Sequence, residues 1–340
     1  MDPSSAARSL SEPPPHALLW DMATQGLVAR CLHVVAAIGV ADAVDSHGAE
    51  LGDLAAKLDV DADALGRVLR ALAGHGVFEV DLPAVRHTEA SLLLRSDHPM
   101  SMRAFAQMMG LPLAWESAGS LRTTVETGRA GILQLDPGGL FSYLREHEDQ
   151  AEIFDRAMTS KSHADIGCVL DAYDFGSKRH VVDVGGGRGH LLDAIGARHP
   201  GIELTLFEQP EVIARVAEAG AGTKVLVAGD FFTDDLPAAD AYLLVDIIHD
   251  WEDVDAIRIL SNIRRSMRDE AVVVVVESIL RDGAGPDPAK TLDIVMLVVT
   301  GGRERTSAQF ASLFEAAGFE MSRVVPTAGG VSLVEARPAR

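Results

Sequence analysis

From residue 180 onward the chain alternates between short apolar runs and amphipathic segments, and this alternation restricts its architecture more than any other feature. The runs are HVVDV (180–184), ELTLF (203–207), KVLVA (224–228), AYLLV (241–245) and AVVVVVE (271–277), with stretches such as AIRILSNIRRSM (256–267) between them. Short, predominantly apolar runs with no regular polar face are strands covered on both faces. Helices intervening between consecutive strands make those strands parallel, so the pattern predicts an α/β, doubly wound sheet. The end of the chain differs. FEMSRVV (319–325) and VSLVEA (331–336), joined by a glycine-containing turn, predict an antiparallel hairpin at the sheet edge.

The first of these strands runs into Val181-Val182-Asp183-Val184-Gly185-Gly186-Gly187-Arg188-Gly189-His190. A buried strand feeding a glycine-rich turn that opens a helix lets backbone approach a ligand closely. The dinucleotide fingerprint G-x-G-x-x-G requires a third glycine at position 190, which is His190. The spacing present is G-x-G-x-G, through Gly185, Gly187 and Gly189 behind Asp183, and it suits a ligand without a pyrophosphate. Glu208 ends the second strand, where a carboxylate can accept hydrogen bonds from both hydroxyls of a ribose; the alternative is a solvated strand-end acid. Gly229-Asp230-Phe231-Phe232 follows the third strand, where a short acid and an aromatic ring can hold an adenine edge and face. Asp230 also fits the plainer role of turn former. These positions fall at the carboxyl ends of strands, where open α/β sheets bind ligands.

The fourth strand ends in Asp246-Ile247-Ile248-His249-Asp250-Trp251, the fifth at Glu277, and Glu304 lies in Gly301-Gly302-Arg303-Glu304-Arg305-Thr306, ahead of a capping-box pattern from Thr306 to Gln309. Histidine titrates near neutrality and can take a proton from a hydroxyl group. One carboxylate can fix its tautomer while the other flanks an acceptor. A strand-end histidine standing alone is more often structural; His249 has two carboxylates converging from separate segments.

The first half has a different rhythm. After a lead-in at 1–15, residues 16–165 read as mostly helical, and 166–340 as the sheet domain. His16 to Ala37 is apolar on nearly every face and predicts a buried or subunit-interface helix. The stretch 51–80 holds two short helical stripes (Leu51, Leu54, Ala55, Leu58; Leu65, Val68, Leu69, Leu72), a Gly74-His75-Gly76 break and a β-like run, which is the pattern of a winged helix-turn-helix. Acidic residues outnumber basic ones across 51–95, so a DNA-reading face is not expected. Over the whole chain 50 acidic residues against 30 basic give a formal charge of −20, which disfavours nucleic acid and anionic membranes as partners. There is no apolar run long enough to span a bilayer and no secretory signal pattern, which points to the cytoplasm. Cys31 and Cys168 are too few for a disulfide framework or a zinc cluster and are expected to be buried.

Taken together, VVDVGGGRGHLL, LFEQPEVI, AGDFF, IIHDWED, the ESIL after the fifth strand and MLVVTGGRERTSAQFASLFEAAGF resemble the caffeate/hydroxyindole-type small-molecule O-methyltransferases, especially their bacterial natural-product branch. The likeness runs from about residue 16 to the end. It implies a Rossmann-like class I methyltransferase domain behind a mainly helical winged-helix dimerisation domain, an intertwined homodimer, S-adenosylmethionine as cofactor, and no metal. It places the general base at His249 with Glu277 and Glu304 flanking it. Cofactor contacts fall on Asp183, Gly185, Gly187, Glu208, Gly229, Asp230 and Phe231, and acceptor contacts on Trp115, Met158, Asp250 and Met296.

The chain departs from the family's plant members at three points. Val245 stands where they carry a cofactor-contacting lysine, Glu208 replaces the more usual aspartate, and Val299-Thr300 occupies the region of an acceptor-contacting asparagine. The resemblance implies methylation of a hydroxyl, phenolic by expectation, on a small aromatic or polyketide-type product of secondary metabolism such as antibiotic biosynthesis. Relatives that use the bound cofactor for hydroxylation, decarboxylation or ring closure supply the alternative. The acceptor's identity and regiochemistry, and the choice among phenol, carboxylate and alcohol, are not written in these motifs.

Overall fold

The computed structural model describes residues 14–339, so most of the expected lead-in at 1–15 lies outside the described residues, and a helix begins at Pro15. The chain divides into two compact units, with the division between Gly110 and Leu111. The change of rhythm had suggested a boundary near 165. The helices from 112 to 172 share the helical pattern of the first half, but periodicity reports the type of an element and not the core it joins. Among the described residues no helix is long and apolar enough to cross a membrane.

In the first unit, strands β1 (Ala49–Glu50), β2 (Phe78–Asp81) and β3 (Ala84–His87) form a small antiparallel sheet in the order β1-β3-β2. Helices Leu51–Leu58 and Ala62–Ala73 precede the wing, as the stripes predict. Leu54, Ala55, Leu65, Leu69, Leu72, Phe78 and Val85 close over one core with Val35 and Ala36 of the long helix Pro15–Ile38. Within this unit that helix leaves Leu18, Leu19, Trp20, Met22 and Leu27 exposed, Trp20 at 71%.

The second unit is built on β4 (His180–Val184), β5 (Glu203–Glu208), β6 (Val225–Ala228), β7 (Ala241–Val245), β8 (Val272–Glu277), β9 (Phe319–Pro326) and β10 (Ser332–Pro338), in the sheet order β6-β5-β4-β7-β8-β10-β9. β4 to β8 are parallel; β10 runs antiparallel to both β8 and β9, forming the expected edge hairpin. The valines of β8 show why the runs are apolar throughout. Val273 and Val275 enter one core, Val272, Val274 and Val276 the other, each worth roughly 1.5–3 kcal/mol on full burial. The first core is closed by Ala256, Ile259, Leu260 and Ile263, the i, i+3, i+4, i+7 stripe of helix Asp253–Ser266, and by Phe310 and Phe314 of helix Ser307–Ala316. The second is closed by Leu191, Leu192 and Ile195 of helix His190–Arg198 and by Val169 of helix Glu148–Ala172. Cys31 and Cys168 are half-buried free thiols and not the fully buried residues expected. Cys31 lies on the long helix that exposes apolar side chains within its unit, so an apolar neighbourhood in sequence did not guarantee burial there.

Candidate active site

The sheet delivers the glycine-rich turn, Glu208, the turn after β6, and His249 to one edge, the carboxyl ends of β4, β5, β6 and β7. Gly185, Gly187 and Gly189 all have left-handed φ (73°, 57° and 73°), a backbone path that side-chain-bearing residues rarely take. A Cβ on Gly186 would lie 2.2 Å from the Asp183 carboxylate, and one on Gly185 2.7 Å from Ile247 Cδ1. Asp183 itself is buried, and its Oδ1 has no hydrogen-bond partner among the described residues. Burial, reinforced by the charge of Glu208 and opposed by Lys224, pushes its carboxyl up to about 7.

Glu208 Oε2 accepts the Gly187 N–H at 3.2 Å and Oε1 the Gln209 N–H at 2.6 Å. Its pKa is raised, chiefly by burial. The Gly229 N–H donates to the Glu208 carbonyl at 2.9 Å, tying the turn after β6 to β5. Asp230 Oδ1 accepts the Phe232 N–H at 2.8 Å, so the aspartate acts as the turn former of the plainer reading, whatever else it contacts. The ring of Phe231 stands edge-on to Phe232 and Trp251, with centroids 5.0 and 6.0 Å away. Asn262, wholly buried on helix Asp253–Ser266, fixes this turn by donating from Nδ2 to the carbonyls of Phe231 (2.9 Å) and Asp234 (2.8 Å).

His249 sits in a short 3-10 turn, Ile248–Asp250, directly after β7, and is held at three atoms. Its backbone N–H donates to Glu277 Oε1 at 3.0 Å, its carbonyl accepts the Arg303 N–H at 2.8 Å, and its ring Nδ1 lies 2.7 Å from Glu304 Oε1. The two candidate acids therefore divide the work: Glu304 engages the imidazole, Glu277 the main chain. Gly302 makes this fit possible, since a Cβ there would fall 2.0 Å from the His249 carbonyl oxygen. Asp250 Oδ1 stands 3.9 Å from Nε2, beyond hydrogen-bonding range.

Burial alone lowers the pKa of His249. The Glu304 hydrogen bond and the charges of Glu277, Asp250 and Asp246 outweigh it and push the imidazole up to about 10. Burial pushes Glu277 up to about 7 and Asp250 to about 6, each partly offset by the His249 charge.

Of the remaining candidates, Met296 is buried on helix Pro288–Val299, where Thr300 Oγ1 caps its carbonyl at 3.0 Å. Helix Pro112–Gly119, carrying a partly exposed Trp115, packs against that helix. Met158 is half-buried on helix Glu148–Ala172, one turn before Lys161, whose Nζ reaches Asp246 at the end of β7.

An O-methyltransferase domain profile matches residues 120–320, and an O-methyltransferase dimerisation domain profile matches residues 20–97. The chain belongs to the O-methyltransferase family. It is 38% identical to a phenazine O-methyltransferase of Lysobacter antibioticus, covering 96% of this chain and 97% of that one. It is 33% identical to the mitomycin biosynthesis 6-O-methyltransferase of Streptomyces lavendulae, covering 99% and 98%. The crystal structure of human N-acetylserotonin methyltransferase in complex with S-adenosylmethionine superposes with a TM-score of 0.90 at 27% identity, covering 97% and 99% of the two chains. The protein is an S-adenosylmethionine-dependent O-methyltransferase with a class I fold and a mainly helical N-terminal dimerisation domain.

The donor set of the methyltransferase fits that cofactor. The turn offers close backbone approach, and the buried Asp183 oxygen that has no partner among the described residues, with Glu208 and Asp230 at the neighbouring strand ends, supplies acceptors for hydroxyl and amino groups.

Three residues without an assigned role in the sequence reading shape this site. Arg305 is 1% exposed, donates from Nη1 to the Ile248 carbonyl (3.0 Å) and from Nη2 to that of Trp251 (2.9 Å), and pairs with Asp253 at 2.8 Å. It stood in plain view inside the GGRERT motif. Asn262 and Lys161 carried no signal beyond being polar residues on helices.

Proposed function

We propose that the methyltransferase methylates a phenolic hydroxyl of a small aromatic natural product, with His249 as general base, working as a homodimer. The observation that carries this is the buried His249–Glu304 contact of 2.7 Å, which occupies Nδ1 and leaves Nε2 as the nitrogen to receive the acceptor proton. Phenols ionise near 10, and the site raises the imidazole well above its ordinary value through Glu304 and the neighbouring carboxylates, so His249 has the basicity to take the acceptor proton.

S-adenosylmethionine bound at the turn supplies an electrophilic methyl group, which the acceptor oxygen takes while the sulfur keeps the bonding pair. In this reading Asp183, Gly185, Gly187 and Gly229 shape the cofactor cradle, Glu208 holds the ribose, and Asp230 and Phe231 meet the adenine. Glu304 orients the imidazole, and Glu277, with the Arg303 N–H, fixes the backbone from which it projects. Trp115, Met158, Asp250 and Met296 contribute to the acceptor pocket. Support for the homodimer comes from the dimerisation profile and from the apolar side chains that helix Pro15–Ile38 exposes within its own unit.

The direct test is S-adenosylhomocysteine release across a panel of phenols, hydroxyphenazines, aromatic acids, amines and alcohols. Turnover confined to phenolic acceptors supports the reading. Turnover with acids or amines alone, or cofactor consumption without a methylated product, overturns it.

A further inference from the structure

One ion pair at the cofactor edge hydrogen-bonds to none of the groups of the proton transfer just described, and acts on His249 only through the charge of Asp246. Lys161 Nζ lies 2.6 Å from Asp246 Oδ2 and 3.4 Å from Asp165 Oδ2. The lysine side chain is 24% exposed and each aspartate 18%, so water screens the group only partly. Asp246 is the residue after β7, held by its N–H to the Val276 carbonyl at 3.1 Å, and its φ is +53°, one of two non-glycine residues among those described in the left-handed region. Its neighbour Ile247 crowds Gly185 of the turn, and His249 follows three residues later. β7 is the sheet neighbour of β4. A cofactor seated on the turn after β4, delivering methyl to an oxygen beside His249, must place its sulfonium in the interval that Asp246 borders.

An aspartate there attracts a cation; one already held by an ammonium group attracts it far less. Asp165 shares the helix of Lys161, and Asp250, Glu277, Glu304 and His249 complete the charged group from the other elements. We propose that Lys161, by compensating Asp246, sets how strongly the site discriminates the cationic cofactor from its neutral demethylated product. It is a specificity-determining residue for cofactor charge, and the assignment rests on the turn being the cofactor site.

The test is calorimetric binding of S-adenosylmethionine and S-adenosylhomocysteine to the full chain. Lys161→Met should raise the preference for S-adenosylmethionine over the product by on the order of three- to tenfold. Asp246→Asn should lower it by a similar factor, and Lys161→Arg should keep it near wild type. Parallel changes in both affinities in Lys161→Met and Asp246→Asn, with their ratio unmoved, would mean the pair only braces the fold and would overturn the inference. A wild-type protein that binds neither ligand rejects the cofactor site itself and this proposal with it.

Discussion

Glu304 Oε1 and His249 Nδ1 are 2.7 Å apart, and the two loops that carry them are fastened together by the Arg305 guanidinium and by the Arg303 N–H to the His249 carbonyl. The carboxylate does more than orient the ring. It helps raise the imidazole from its ordinary 6.5 to about 10, so at neutral pH His249 is mostly protonated in the absence of ligands. A base needs its free form, which grows about tenfold per pH unit below the pKa. Single-turnover rates with a phenol should therefore climb from pH 7 toward 10. In Glu304→Gln, which removes the charge that favours the imidazolium, the rising limb should move to lower pH. The same acceptor serves both enzymes, so its own ionisation cancels in the comparison. An unmoved limb would assign the profile to the phenol.

His249→Ala should lower turnover by on the order of 10²–10⁴ while calorimetric affinity for the neutral product S-adenosylhomocysteine, which does not sense the lost charge, stays within about twofold, since the cradle of the turn and Glu208 is untouched. Equal loss of binding would move His249 from proton transfer to cofactor retention.

Glu208 offers the reverse separation. Its carboxylate already accepts the Gly187 and Gln209 N–H groups and is placed to accept the ribose hydroxyls as well. Glu208→Ala should weaken cofactor binding by roughly 10- to 100-fold, the range for charge-assisted hydrogen bonds, and saturating cofactor should restore most of the turnover number. A turnover number that stays low at saturation would mean that the turn itself has lost its shape.

Gly302→Ala tests whether the contact between the two loops matters to chemistry. The added Cβ would arrive 2.0 Å from the His249 carbonyl oxygen, so the segments must separate, stretching the Arg303 N–H bond and the Glu304–His249 contact together. Turnover should fall at least tenfold, because sub-ångström positioning controls proton transfer and attack alike. Cofactor affinity, measured in parallel, should hold.

Much of this was legible in residue order because the physics is local. β4 and β7 begin and end where their apolar runs do, and Thr306 and Gln309 form the reciprocal capping box that their spacing announces. His249 and Glu277 could be grouped because each ends or follows a strand, and a doubly wound sheet gathers such ends on one edge, whereas Glu304, in the loop between helices Pro288–Val299 and Ser307–Ala316, joined them through the GGRERT motif. What escaped is non-local. Lys161 meets Asp246 across 85 positions from a helix face with no motif, and Asn262 acts on backbone carbonyls, which carry no residue identity. The boundary at Gly110 escaped for the related reason that helices of either unit share one periodicity.

The buried acids leave a further mark on stability. Burial lifts Glu277 from 4.5 to about 7, so the folded protein holds its proton more tightly than the unfolded chain does. A folded pKa above the unfolded one gives stability that is complete below pH 4.5 and lost as pH rises through about 7, here roughly 3 kcal/mol in all. Asp183 and Asp250 shift in the same direction. Glu277→Gln keeps an acceptor for the His249 N–H but cannot ionise, so it should match wild type near pH 4.5 and exceed it at pH 8 by an amount approaching that figure. Urea unfolding of the cofactor-free protein at the two pH values measures it directly. A difference independent of pH would mean that Glu277 stays ionised throughout, and that the positive charge of His249 beside it outweighs the cost of burial.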